Sequence, residues 1–126
     1  MNFFTAAKEL CRNIEVLENT FSRNNLRVIK IGCRPYNENI GSLYFYVELE
    51  AINGESITHD MAFKLNIYDD EDDLFTVEES KPVKASCFAG YDTIEIHFGS
   101  DQVLNTGKRG KLYAVREEPS RDEIGW

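Results

Sequence analysis

Apolar side chains recur at Phe3, Ala7, Leu10, Ile14, Leu17 and Phe21, at spacings of 4, 3, 4, 3 and 4 residues. That period puts all six on one face of a helix. Phe4 and Cys11 widen the stripe, while Lys8, Glu9, Arg12, Glu15 and Glu18 cover the remaining circumference. The pattern predicts one amphipathic α-helix within residues 1–23, N-capped by Asn2 or Thr5 and stopped by Asn24-Asn25.

From Leu26 onward the period is two. Ile29, Ile31 and Cys33 alternate with Lys30 and Gly32; Leu43, Phe45, Val47, Leu49 and Ala51 alternate with Tyr44, Tyr46, Glu48 and Glu50. Met61, Phe63, Leu65 and Ile67 alternate with Ala62, Lys64, Asn66 and Tyr68. Shorter segments follow at 74–77 and 83–88, then Ile94, Ile96 and Phe98 around Glu95 and His97, and finally 112–116. Short alternating segments separated by turn signals predict a mainly β fold, an antiparallel β-sandwich of seven to eight strands over 26–116. Parallel pairing would need crossover helices, and no helical pattern lies between these strands. Asn53-Gly54 marks a hairpin. A three-residue loop, Asn53-Gly54-Glu55, sets Val47 opposite Met61, Phe45 opposite Phe63 and Leu43 opposite Leu65, and places His59 near Leu49 on the inner face.

Length adds that 126 residues form a single domain, 1–126, whose tail runs over 117–126. Fifteen aromatics (8 Phe, 6 Tyr, 1 Trp) supply apolar surface that disordered chains lack. Formal charge is −8, distributed as +3 over 1–34, −12 over 35–107 and +1 over 108–126. A chain of this sign repels phosphate backbones and anionic headgroups, so neither nucleic acid nor membrane is an expected partner. The N-terminal stretch carries Lys8, Glu9 and Arg12 where a signal peptide needs an unbroken apolar run. Cys11, Cys33 and Cys87 are odd in number and form no C-x-x-C pair, the pattern of small, buried, reduced thiols in a cytoplasmic protein.

The run Leu65-Asn66-Ile67-Tyr68-Asp69 resembles the signature strand of bacterial FxLYD-type domains, small immunoglobulin-like sandwiches whose strand leads through Tyr-Asp into a turn. The order of strand, Asn-Gly turn, signature strand, acidic turn and a later Gly90-Tyr91-Asp92-Thr93 strand start is similar too, over residues 26–116. The resemblance implies an immunoglobulin-like sandwich and a binding or accessory module, with no catalytic residues to carry over.

Candidate chemistry is sparse. Asp69-Asp70-Glu71-Asp72-Asp73 concentrates enough carboxylate for calcium, but the turning glycine of an EF-hand loop is absent. The same run reads as a solvated turn or as a docking patch for a basic partner. Cys87 and His97 have the residue types of a nucleophile–base pair, but no helix N-terminus or glycine elbow activates the thiol. Cys33, Cys87, His59 and His97 are zinc-ligand types without the paired spacing of zinc sites. Asn105–Lys111 is a basic glycine-containing turn before a strand, not a phosphate loop. Tyr44, Tyr46 and Tyr68, beside Glu48, make a tyrosine–acid surface suited to recognition unless the helix covers it.

The sequence therefore predicts a non-catalytic cytoplasmic protein-interaction module. Its specific version is an acidic immunity- or inhibitor-like protein that plugs a basic partner, using Tyr44, Tyr46, Glu48, Tyr68, Asp69, Asp70, Glu71, Asp72 and Asp73. No metal site and no cofactor belong to this reading. The expected state is a monomer, or a weak dimer through the N-terminal helix. The alternatives are a calcium-binding sandwich using 69–73 and a small enzyme using Cys87 and His97.

Overall fold

The computed structural model describes residues 3–37, 42–54, 56–97 and 105–117. The expected mainly β architecture with an N-terminal helix is present. Helix α1 (Phe3–Arg12) leads to strand β1 (Ile14–Val16) and helix α2 (Glu18–Ser22). Strands β2 (Leu26–Asn37), β3 (Ser42–Ala51), β4 (Met61–Tyr68), β5 (Leu74–Glu79), β6 (Tyr91–His97) and β7 (Arg109–Arg116) complete the chain. They form a four-stranded sheet in the order β1-β7-β4-β5 and a three-stranded sheet in the order β2-β3-β6. Phe45, Val47, Leu49, Ile94 and Ile96 from the smaller sheet share one buried cluster with Phe63, Leu65, Ile67, Leu112 and Ala114 from the larger. Alternation therefore does what the sequence pattern demands: each strand sends every second side chain between the sheets.

The continuous helix expected over 3–21 is broken. Asn13 ends α1, and Ile14-Glu15-Val16 extends to pair in parallel with Gly110-Lys111-Leu112 of β7, so the sheet is not wholly antiparallel. Two β-branched residues flanking Glu15 favour this conformation. The pairing also needs Gly110, since a Cβ there would stand 3.2 Å from Ile14 Cγ1 and 3.0 Å from Leu65 Cδ1. Thr5 lies inside α1 rather than capping it, and Asn2 falls outside the described residues. Asn24-Asn25 do stop the helical region. Asn24 is buried, with its side-chain amide donating to Thr20 O (2.8 Å) and its Oδ1 accepting from Arg116 Nε (2.7 Å), and Asn25 turns the chain at φ +63°.

The Asn53-Gly54 hairpin is also corrected. Strand β3 pairs with β2 and β6, whereas β4 pairs with β5 and β7, so residues 52–60 cross from one sheet to the other. Val47, Phe45 and Leu43 thus face Ile31, Cys33 and Pro35 in the ladder, not Met61, Phe63 and Leu65. Glu55 lies outside the described residues, and His59 is exposed rather than inside. The segment 83–88 is not a strand: Val83 makes a single bridge to Met61, and Ala85–Cys87 form a 3-10 turn. Ile29, expected on the inner face, bulges out between the Val28–Leu49 and Lys30–Glu48 pairs and is 48% exposed. Phe98, and the tail beyond residue 117, lie outside the described residues.

Helix α1 buries Ala7 and Leu10, and Leu10 joins the common core. Phe21 of α2 stacks on Phe63 with centroids 5.8 Å apart and rings 10° from parallel. The apolar stripe is thereby used to complete the sandwich core.

Candidate functional site

The nine residues singled out from sequence fall on two separate faces. Tyr44, Tyr46 and Glu48 project from β3 on the outer side of the three-stranded sheet, opposite to the buried Phe45 and Val47. Tyr68 projects from the outer side of the four-stranded sheet, and Asp69–Asp73 form the turn that joins β4 to β5. With the core between the two sheets, these groups cannot form one continuous surface.

The first face is satisfied largely by its own members. The Tyr46 ring lies across Gly32 and beneath the Arg34 guanidinium, 4.4 Å from the ring centroid, which leaves it only 7% exposed. Tyr44 stacks on His97 at 5.2 Å, and His97 Nε2 meets Glu95 Oε2 at 3.0 Å. Glu48 accepts from the Tyr91 hydroxyl (3.0 Å), and Glu50 pairs with Arg27. This burial of Tyr46 arises within the sheet, from a glycine that leaves room for an aromatic neighbour.

The turn is the more open of the two. Asp69 Oδ1 accepts the backbone N–H groups of Glu71 (2.9 Å) and Asp73 (3.0 Å), while Asp69 N–H donates to Asp73 O (2.9 Å). Asp72 adopts φ +65°, and its Oδ1 meets Arg109 Nη2 at 2.9 Å. Asp69 and Asp72 therefore build the turn. Asp70, Glu71 and Asp73 are exposed and make no ion pair among the described residues. Arg109 and Lys111 of β7 each lie 5.7 Å from the Tyr68 centroid, so the tyrosine is bracketed by cations.

The other constellations are not assembled. Cys87, expected to be buried, is exposed with its sulfur 3.9 Å from Ser86 Oγ, whereas His97 engages Glu95 and Tyr44. His59 Nδ1 meets Thr58 Oγ1 at 2.9 Å. Among the described residues no three His, Cys, Asp or Glu side chains converge to hold a metal ion, the 69–73 turn included. The residues 105–111 lead into β7, not into a helix.

Cys11 and Cys33, on α1 and β2, are half-buried and packed against the core. Burial foremost, then the adjoining Cys33 thiol and its hydrogen bond, pushes the Cys11 thiol far above its ordinary range. Burial likewise raises Cys33, opposed by the hydrogen bond from Cys11 and the charge of Lys8. In the other sheet, sequence reasoning placed a strand at 74–77 but missed its exposure: Leu74, Phe75 and Val77 of β5 stand 54%, 39% and 44% exposed. The signal available was the run of apolar residues between two acidic segments, Asp69–Asp73 and Glu78-Glu79.

Among the described residues, no helix is long and apolar enough to cross a membrane. No protein-family model, curated protein or solved structure matches the chain.

Proposed function

We propose that the chain is a non-catalytic protein-interaction module that docks a basic partner through its acidic β4–β5 turn. The observation that carries this reading is the division of labour within the turn. Asp69 holds the backbone and Asp72 pairs with Arg109, so Asp70, Glu71 and Asp73 are presented outward with their charge unpaired among the described residues. Carboxylates on a rigid turn retain their field towards solvent and lose little conformational freedom when a cationic surface arrives. The −12 charge over residues 35–107 strengthens the attraction at longer range. An immunity- or inhibitor-like role, in which a small acidic protein covers a basic cleft, is the specific form of this reading. It is of the kind that the FxLYD resemblance implies. Three cysteines that form no C-x-x-C pair support a cytoplasmic setting.

Affinity capture from the host's lysate at low and moderate salt tests this. The comparison is with a neutral-turn variant, Asp70→Asn/Glu71→Gln/Asp73→Asn, that keeps Asp69 and Asp72. A basic protein held by the parent and lost by the variant supports docking. Equal capture by both sinks the role of the turn.

A further inference from the structure

We infer that the outer edge of β5 takes up an extended peptide strand with an apolar centre and basic flanks, which adds a further strand to the four-stranded sheet. This deepens the docking reading and rests on it, because it specifies what form the basic partner takes at the same end of the molecule.

β5 is the last strand of its sheet and pairs only with β4 among the described residues. Such an edge presents backbone N–H and C=O groups ready to pair with another chain. Native edges are usually blunted by lysine, proline or inward charge. Leu74–Glu79 contains no lysine or proline; its blunting features are Glu78, which lies opposite the buried Leu65 in the ladder, and the bulge that leaves Phe75 unpaired between the Leu74–Tyr68 and Thr76–Ile67 pairs. Apolar exposure is concentrated here. Of six large apolar side chains exposed among the described residues, three lie on this strand, while Ile29, Ile52 and Tyr91 are scattered elsewhere.

Charge selects the occupant. Uncharged Leu74–Val77 lies between the 69–73 carboxylates and Glu78-Glu79, an acidic–apolar–acidic order whose complement is basic–apolar–basic, although Asp72 is already paired with Arg109 and Glu79 with Lys64 (3.8 Å). A second copy fits poorly. Each chain carries −8, and antiparallel pairing of two β5 strands brings the acidic turn of one towards Glu78 and Glu79 of the other. Beyond the end of β5 the edge opens into a groove of about 670 Å³ between Glu79 and Val83 on one side and Ile94 and Glu95 of β6 on the other. Lys81 and His97 also border it. That groove gives the side chain following the paired segment a place to lie.

The probe is a capped synthetic peptide of alternating valine and threonine with a lysine pair at each end, added to the full chain. Amide hydrogen exchange read by NMR reports on the β5 backbone. Binding should slow exchange on β5, and Leu74→Lys/Val77→Lys, at two exposed positions that leave the core intact, should weaken it at least about tenfold by placing gatekeeper cations on the edge. The same peptide with glutamate ends should not bind. Binding that leaves β5 exchange unchanged, or no binding at all, overturns strand addition. So does an outer edge already protected in the free protein, or protection that appears with protein concentration alone. Capture of the host partner separates this inference from the broader one. If the neutral turn loses the partner and the lysine variant keeps it, docking stands and strand addition falls. If neither variant affects capture, both fall.

Discussion

The ring of Tyr46 occupies the space above Gly32, where a β-carbon would approach the Tyr46 hydroxyl to 2.3 Å. Glycine in a strand interior normally weakens it, but here the aromatic neighbour covers the exposed backbone. Gly32→Ala should therefore expel the ring and cost about 1–3 kcal/mol. Tyr46→Ala should cost a similar amount by uncovering the same backbone. The double variant should cost less than the sum, because the clash disappears with the ring. Urea unfolding of the four proteins checks this, and strict additivity would contradict it.

Within the acidic turn the carboxylates should separate by consequence. Asp69→Ala removes the acceptor of two backbone N–H groups and should cost about 1–2 kcal/mol. Asp70→Asn, Glu71→Gln and Asp73→Asn should leave stability within about 0.5 kcal/mol, since these side chains are exposed and hold no partner among the described residues. Denaturation midpoints distinguish the two classes. A destabilising Asp73→Asn would show that its carboxylate has a structural partner.

Acid stability should depend in part on Asp60. Its Oδ1 accepts the Ala85 N–H at 2.8 Å, which foremost lowers its pKa; desolvation opposes this, and the hydrogen bond and charge of Lys84 and the charge of His59 assist it. A carboxyl lowered in the folded state stabilises the fold above its unfolded value, about 3.9. That contribution is lost as pH falls through the lower folded value. Melting temperatures from pH 6 down to pH 2 should therefore fall less steeply for Asp60→Asn than for the parent. Parallel curves would remove Asp60 from the account.

Thiol reactivity should follow burial. Cys87 is exposed, whereas Cys11 and Cys33 are half-buried and raised in pKa. Iodoacetamide at neutral pH should modify Cys87 about tenfold or more faster than either of the others, with all three reacting once the chain is unfolded. Mass spectrometry of the peptides reads the order. Early modification of Cys11 would contradict the packing of α1 on β2.

The long alternating runs of β3 and β4 were legible because both bury one face against the same core, whichever strands they pair with. Pairing itself was not legible. Asn53-Gly54 suits a hairpin, yet the same alternation of Phe45 and Phe63 serves equally when 52–60 carry the chain to the opposite sheet. That one ambiguity separated Tyr44 and Tyr46 from Tyr68. Ile14, Leu17 and Phe21 continue the helical spacing of Ala7 and Leu10, so nothing local distinguishes β1 from another helical turn. Its partner Gly110 lies 96 residues from Ile14 in the chain, a distance over which periodicity carries no information. The roles of Asp69 and Asp72 likewise emerge only from backbone hydrogen bonds and the proximity of Arg109.

The parallel pairing of β1 with β7 also orders events during synthesis. Residues 14–16 leave the ribosome early, but the strand that receives them is made only after almost all of the sandwich. Until then the β7 side of β4 has no neighbour, and the apolar Ile14 and Val16 wait without a place in the sheet. Closure over so long a loop makes this a non-local step of folding that waits on the end of the sandwich. Nascent chains halted before Arg109 should therefore engage chaperones that the finished protein does not need.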